Sequence, residues 1–212
     1  MALPKTTSEK QAAAREFAER WASSGEKEIA DTQGFWRDLL GGVFGCDADT
    51  LKSIIEFEKP VWVDGHSRRI DGFITLTSLM GTSHILIEQK KRTVDMTREG
   101  RQSGGAMLSP YQQAKRYADN LSLDEKPRWI VTCNFREFWV YDMKKPSKEL
   151  GKDPEVVKLA NLESELYRLE FLADAGKEAT KHQEAASRQT GSLIGGLYDL
   201  LLAKHLDAKA VA

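Results

Sequence analysis

The sequence of 212 residues has little cysteine, no excess of positive charge and no long apolar run. Its two cysteines, Cys46 and Cys133, are isolated, so we expect neither a disulfide framework nor a zinc knuckle, and a reducing, cytoplasmic setting is the default. The 31 Lys and Arg residues against 32 Asp and Glu residues exclude a globally basic binder but allow a local basic surface. No window approaches the roughly 18 apolar residues of a membrane span. The first 20 residues lack the apolar segment of a secretory signal.

The composition that remains, 41% hydrophobic and 30% charged residues, is typical of a globular protein. Apolar periodicity and turn residues predict the order of elements. The expected elements are a helix over 8–21, a helix from Asp31 or Thr32 to about 44, strands over 54–63, 68–77 and 82–90, a loop over 91–107, a helix from Ser109, strands over 128–133 and 137–141, a linker over 144–154, and helices over about 155–173 and 177–206. This order predicts an α/β fold with a central mixed sheet flanked by helices.

A carboxylate and an ammonium group are expected to project together from one strand end, at Glu88 and Lys90, because residues two apart on a strand share a face. Such a pair suits metal-assisted phosphodiester hydrolysis, in which the carboxylate holds a divalent cation and the lysine serves the attacking water. The spacing alone has little weight, because Asp-x-Lys also occurs at 124–126, 142–144 and 207–209. A solvated face is the ordinary explanation of such a triplet.

Asp71 on the preceding strand strengthens the prediction of a metal site at Glu88 and Lys90. A hairpin turn at Leu79-Met80 would oppose Asp71 to Glu88, whereas a turn at Met80-Gly81 would oppose it to Lys90. Directly opposed side chains have Cβ atoms about 4.5–5.5 Å apart, so two carboxylates there would repel each other without a cation. With magnesium they become two ligands of one site. The alternative is a wet surface on which Lys90 and Arg69 screen the two carboxylates.

The helix that begins near Ser109 offers an amide and a phenol, Gln113 and Tyr117, on one face, because residues four apart on a helix are neighbours. The same region is rich in positive charge that suits contacts with a phosphate backbone. These basic residues are Lys115 and Arg116 on the helix and Lys90, Lys91, Arg92, Arg98 and Arg101 before it. A charged, mobile loop would explain the latter group equally well.

The ordered set Asp71, Glu88-x-Lys90 and Gln113-x-x-x-Tyr117 resembles the PD-(D/E)xK nuclease superfamily, and in particular its RecB-type branch with the Gln-x-x-x-Tyr motif. The narrowest resemblance is to the N-terminal domain of MmeI-like (type IIL) restriction–modification enzymes. It covers about residues 15–206. The stretches that carry it are DTQGFWRDLLGGVFG (31–45), IEFEKPV (55–61), RRIDGFI (68–74), ILIEQK (85–90), LSPYQQAKRYADNL (108–121) and PRWIVTCNFREFWVYD (127–142).

The resemblance implies a restriction-endonuclease-like core and a Mg²⁺-dependent DNA endonuclease, with Mn²⁺ as a possible substitute. Asp71, Glu88 and the backbone carbonyl of Gln89 would ligate the metal, and Lys90 would serve the water. Gln113 and Tyr117 would support them. The residues that would contact double-stranded DNA are Lys91, Arg92, Lys115 and Arg116. Glu58 and Asp31 are candidates for an extra carboxylate, although a salt bridge at a strand edge also explains Glu58.

The resemblance also implies a longer parent polypeptide that carries an S-adenosylmethionine-dependent adenine methyltransferase and a target-recognition domain. We expect an N-terminal helix and loop at 1–30, the nuclease core at 31–150 and a helical extension at 151–212. The sequence has neither a glycine-rich cofactor loop nor an Asn-Pro-Pro-Tyr run, so methylation is not expected from these residues. Two alternatives remain open, a non-cleaving DNA-binding or docking module with the same fold and a structural part of a methyltransferase subunit.

Overall fold

A six-stranded mixed β-sheet forms the centre of the computed structural model, which describes residues 5–23, 28–79, 81–101, 105–146 and 151–174. Its strands are β1 (Ile55–Val63), β2 (His66–Ser78), β3 (Gly81–Gln89), β6 (Trp129–Cys133), β7 (Glu137–Asp142) and β8 (Glu155–Lys158), and a separate short pair is formed by β4 (Gly100–Arg101) and β5 (Met107–Leu108). The strand order in the sheet is β1-β2-β3-β6-β7-β8, in which β3 and β6 are parallel and the other neighbours antiparallel.

Helices cover both faces of this sheet. They are α1 (Thr7–Trp21), α2 (Glu28–Arg37), which continues as a π-helical turn (Asp38–Val43), α3 (Ala48–Ile54), α4 (Pro110–Asn120) and α5 (Leu162–Glu165), with 3₁₀ turns at Leu123–Glu125, Leu159–Asn161 and Leu166–Leu172. This architecture confirms the expected α/β class with a mixed central sheet flanked by helices. Within the described ranges, no helix has the length and apolar character to cross a membrane.

The hydrophobic core has two parts, one on each face of the sheet. Side chains of α1, α2 and the segment 159–172 pack on one face, and side chains of α4 pack on the other. The first part includes Phe17, Phe35, Trp36, Leu39, Ile74, Ile85, Ile87, Val131, Phe138, Leu162 and Leu169, and the second Phe73, Leu86, Ala114, Ala118, Ile130 and Tyr141. Because both faces are covered, the middle strands β3 and β6 are continuous buried runs over 85–89 and 130–133, as expected for 128–133.

Local sequence signals set the start of α4. The Ser109 side chain accepts a hydrogen bond from the Gln112 backbone, and the Gln112 side chain accepts one from the Ser109 backbone, which completes a capping box. Pro110 occupies the first helical turn, where its missing N–H costs nothing. Ala114 and Ala118 are buried, so α4 lies close to the sheet. The cap defines where α4 begins, and the helix packs against β1, β3 and β6.

Two sequence expectations are wrong, and one helix was not predicted. The second helix begins at Glu28, before Asp31 or Thr32, and the helix that was not predicted is α3, which precedes β1. Residues 155–158 are a strand, although the spacing of the leucines that follow predicted a helix from about 155. Val156 and Val157 pair with the open edge of β7, and that pairing outweighs the helical spacing. The helix expected at 177–206 lies outside the described residues.

Candidate active site

The β2–β3 hairpin brings the two candidate carboxylates together. Ser78 pairs with Gly81 and Gly72 with Ile87, which is the register of a connection through residues 79 and 80. Asp71 and Glu88 are the next residues across, so the first of the two expected registers is confirmed. Beside this position, the backbone N–H of Gln89 donates to Asp71 Oδ2 at 2.7 Å. Glu88 is only 2% exposed, so its carboxylate lies in a largely desolvated position.

A chain of side-chain hydrogen bonds links β3 to α4. Lys90 Nζ donates to Glu88 Oε1 at 2.5 Å and to Gln113 Oε1 at 3.0 Å. Gln113 Nε2 in turn donates to the hydroxyl oxygen of Tyr117 at 3.0 Å. We call Asp71, Glu88, Lys90, Gln113 and Tyr117 the β3–α4 cluster. Its five members are the residues that sequence reasoning selected as catalytic, and the structure brings them to one side of the sheet.

The charged members of the cluster act on the pKa of the Tyr117 phenol. Burial raises the pKa of the Tyr117 phenol, and the negative charge of Glu88 raises this pKa further. Asp71 adds to the increase, whereas Lys90 and the hydrogen bond from Gln113 reduce it. The phenol therefore stays protonated near neutral pH and provides an O–H donor as well as an acceptor oxygen.

The donor set of this cluster fits a hard divalent cation. Asp71 and Glu88 supply carboxylate oxygens, and magnesium is commonly bound through one or two carboxylates together with water and phosphate oxygens. Asp71 and Glu88 lie at neighbouring positions of adjacent strands, so their negative charges repel each other unless positive charge compensates them, and Lys90 supplies part of that charge at Glu88. Within the described residues, no group of three or more His, Cys, Asp or Glu side chains could hold a metal ion.

The two candidates for an extra carboxylate lie on different elements. Glu58 is on β1 at the register position opposite Asp71, but the two do not pair, and Glu58 adopts a left-handed backbone conformation with a φ of 56°. Its carboxylate lies 4.0 Å from the guanidinium of Arg69, which is the salt bridge that sequence reasoning considered. Asp31 is a half-buried residue of α2. Of the two candidates, Glu58 is the one that the strand register places beside Asp71.

The four residues expected to contact DNA have different surroundings. Lys91 is exposed directly after the cluster, Lys115 pairs with Asp119 on the same helix, and Arg116 pairs with Asp64. Arg92 instead donates to the backbone carbonyls of Trp21, at 3.2 Å, and Phe135, at 2.9 Å. It thereby ties the end of α1 to the β6–β7 turn, and burial lowers the pKa of its guanidinium.

Two basic residues of the loop line a pocket beside Lys90. The pocket has a volume of about 360 Å³ and is lined by Lys90, Val94, Asp95, Arg98, Glu99, Gly100, Arg101, Leu108 and Pro110. Arg98 is 83% exposed at its side chain even though it pairs with Asp95. The pocket reaches the β3–α4 cluster at Lys90, and its wall carries Asp95 and Glu99 beside the two arginines.

Sequence reasoning missed two residues next to the site. One lies on the neighbouring strand β6, and the other lies on α2, on the opposite face of the sheet. Thr132 is fully buried and pairs with Glu88 across the parallel β3–β6 ladder. Trp36 of α2 donates from Nε1 to the Gln89 side chain at 2.9 Å. No local signal identifies the first, since a parallel register depends on a long crossover. Trp36 lies 53 positions before Gln89 in the chain, and the sequence showed only that Trp36 belongs to the apolar stripe of its helix.

Residues 12–204 match the protein family described as MmeI, N-terminal domain, so the match covers most of the chain and every residue of the β3–α4 cluster. No curated protein and no solved structure matches the chain significantly. The mixed sheet with helices on both faces is consistent with the restriction-endonuclease-like fold. The chain therefore belongs to the MmeI N-terminal domain family, whose members are nuclease domains of restriction enzymes.

Proposed function

We propose that this chain is a Mg²⁺-dependent endonuclease domain that hydrolyses phosphodiester bonds of double-stranded DNA, with Mn²⁺ as a substitute. The observation that carries the proposal is the continuous hydrogen-bonded path from Glu88 through Lys90 and Gln113 to Tyr117, with Asp71 at the adjacent strand position. Family membership supports the restriction-enzyme setting.

Each residue of the β3–α4 cluster has a distinct task. Asp71, Glu88 and the carbonyl of Gln89 would hold the cation, which when bound supplies Lewis acidity toward the phosphodiester. Lys90 positions the attacking water and offsets negative charge that develops on the phosphate. Gln113 accepts from Lys90 Nζ and so restrains the ammonium group at the end of β3. Tyr117, which stays protonated, accepts from Gln113 and fixes the orientation of that amide.

The DNA backbone is expected to reach the cluster along the pocket beside Lys90. Arg98 and Arg101 lie on its wall, and Lys91 follows the cluster directly, so phosphates on either side of the reacting one would meet positive charge. Lys115 and Arg116 remain proposed contacts from the outer side of α4, where each would exchange a carboxylate partner for a phosphate. Arg92 supports the loop through backbone carbonyls.

The wider setting is also a proposal. By resemblance, the parent polypeptide would be cytoplasmic and would add an S-adenosylmethionine-dependent adenine methyltransferase and a target-recognition domain, which would supply the sequence specificity. The alternative, a docking module with a nuclease fold that does not cut, would need no assembled site. The retention of Asp71, Glu88 and Lys90 in one hydrogen-bonded cluster favours the nuclease.

The test of the proposal is plasmid cleavage by the whole natural protein that contains this chain, with and without Mg²⁺. Lys90→Ala should reduce the cleavage rate at least about 100-fold, because general acid–base and electrostatic groups contribute that much. Lys52→Ala removes an exposed lysine of α3 and is the matched control, expected to cut like the natural protein. Cleavage without added metal, or an active Lys90→Ala protein, would contradict the proposal and favour another site or a docking role.

A further inference from the structure

Gln89, the residue between Glu88 and Lys90, faces away from both of them. Alternate residues of a strand point to opposite faces, so its side chain enters the core on the α2 side of the sheet. Gln89 is fully buried. A buried amide requires hydrogen-bond partners, because leaving one unsatisfied is costly. The partners of Gln89 are therefore part of what determines the conformation at the end of β3.

Three polar groups of Gln89 are bound, and two of them reach proposed catalytic residues. The backbone N–H donates to Asp71 Oδ2 at 2.7 Å, and side-chain Nε2 donates to the backbone carbonyl of Lys90 at 3.3 Å. Side-chain Oε1 accepts from Nε1 of Trp36 at 2.9 Å. One residue thus connects the Asp71 carboxylate, the backbone of Lys90 and the helix α2.

Trp36 is held in place by the aromatic core. It is fully buried, and its ring makes edge-to-face contacts with Phe35 and Phe138 at centroid distances of 5.6 and 5.8 Å. Two residues later, at Asp38, α2 continues as the π-helical turn, a geometry that is frequent near functional sites. The indole N–H therefore has little freedom to leave Gln89.

We infer that Trp36 and Gln89 are positioning residues for the cleavage reaction, an inference that rests on the proposed function. The indole fixes the Gln89 amide, and the amide fixes the backbone that carries Lys90 on one side and meets Asp71 on the other. A fully satisfied polar pair in the core is rigid and specifies one arrangement. Removing the indole N–H leaves the Gln89 amide free to rotate, and the Lys90 carbonyl then loses its donor.

The test compares two tryptophans that make the same kind of bond. Trp36→Phe removes the donor to Gln89, and Trp21→Phe removes an indole donor to Asp38 Oδ2, also at 2.9 Å, in the same aromatic core. Single-turnover cleavage, DNA affinity without metal and thermal unfolding are measured in the whole natural protein. We expect Trp36→Phe to cut about tenfold more slowly, as for other residues that orient a reacting group. Its DNA affinity should be unchanged, and Trp21→Phe should cut within about twofold of the natural rate.

A double variant separates positioning from stability. Trp36→Phe combined with Gln89→Leu replaces both partners by apolar groups and leaves no buried amide without a partner, so it should unfold at a higher temperature than Trp36→Phe alone. Positioning predicts that the double variant still cuts slowly. A recovered cleavage rate, or an equal loss in Trp21→Phe, would overturn the inference and indicate a structural role. If the natural protein itself does not cut, the proposed function has failed instead.

Discussion

At the scale of single residues, the site depends on how charge is compensated around Asp71 and Glu88. Glu88 is buried and bonded to Lys90, whereas Asp71 is bonded to the backbone N–H of Gln89. Hydrogen bonds to a carboxylate stabilise its ionised form. If the proposed function is correct, these two carboxylates would be the oxygen ligands of the cation, and Lys90 lies beside one of them.

Asp71→Asn should weaken cation binding while it preserves the shape of the site. The amide retains an oxygen that can accept from Gln89, but one of two carboxylate charges is lost. We expect the dissociation constant for Mn²⁺, measured by calorimetry, to rise about tenfold or more, which corresponds to about 1.4 kcal/mol. Asp124→Asn is the matched control, because Asp124 is exposed and also belongs to an Asp-x-Lys triplet. Equal Mn²⁺ affinity in the two variants would exclude Asp71 as a ligand.

At the scale of elements, α4 determines where Gln113 and Tyr117 lie. Its first turn is stabilised by the capping box of Ser109 and Gln112, and its buried alanines pack on the sheet. On the same helix, Gln113 accepts from Lys90 and donates to Tyr117, which is buried one turn later. Any change that frays the first turn of α4 should therefore reach Gln113 directly, because its backbone N–H bonds to the Ser109 carbonyl.

Ser109→Ala should destabilise the fold by about 1 kcal/mol, because the N3 backbone N–H loses its capping oxygen. Urea unfolding monitored by circular dichroism measures the change. Ser67→Ala is a suitable control, since Ser67 is exposed on β2 and caps no helix. A Ser109→Ala protein as stable as the control would mean that packing alone defines the start of α4.

At the scale of the whole molecule, positive charge is divided between structure and surface. The net charge is −1, so attraction to DNA must come from a local concentration of cations. Arg92 is used inside the fold, where it joins the end of α1 to the β6–β7 turn. Arg98 and Arg101 line the pocket beside Lys90 and are better placed to meet a phosphate.

Arg92→Ala should therefore change the stability of the fold, whereas Arg101→Ala should change DNA binding. Arg92→Ala removes charge-assisted bonds to two carbonyls and should lower the free energy of unfolding by about 1–3 kcal/mol. Arg101→Ala should leave unfolding unchanged but reduce the salt dependence of DNA binding by about one unit of slope. Urea unfolding and binding titrations at several salt concentrations measure the two effects. If Arg92→Ala reduced the salt dependence of DNA binding and did not lower stability, Arg92 would be a DNA contact, as the sequence first predicted.

Short-range chemistry alone determined much of this protein. The β2–β3 hairpin was predicted from the sequence with two possible registers, and the observed pairing of Ser78 with Gly81 selects the one that opposes Asp71 to Glu88. The period of a strand places Glu88 and Lys90 on one face, and the period of a helix does the same for Gln113 and Tyr117. The capping box at Ser109 was visible for the same reason, since each of these relations spans only a few residues.

Only the tertiary structure decided how these local pieces meet. The pairing of β3 with β6, which places Thr132 beside Glu88, joins strands about 40 residues apart and has no local code. The bond from Trp36 to Gln89 and the use of Arg92 inside the fold likewise join distant segments. Residues 155–158 became a strand because β7 offered an open edge, against the helical spacing that follows. Packing and unpaired backbone groups are properties of the assembled sheet, so local propensity cannot foresee which distant residue will satisfy them.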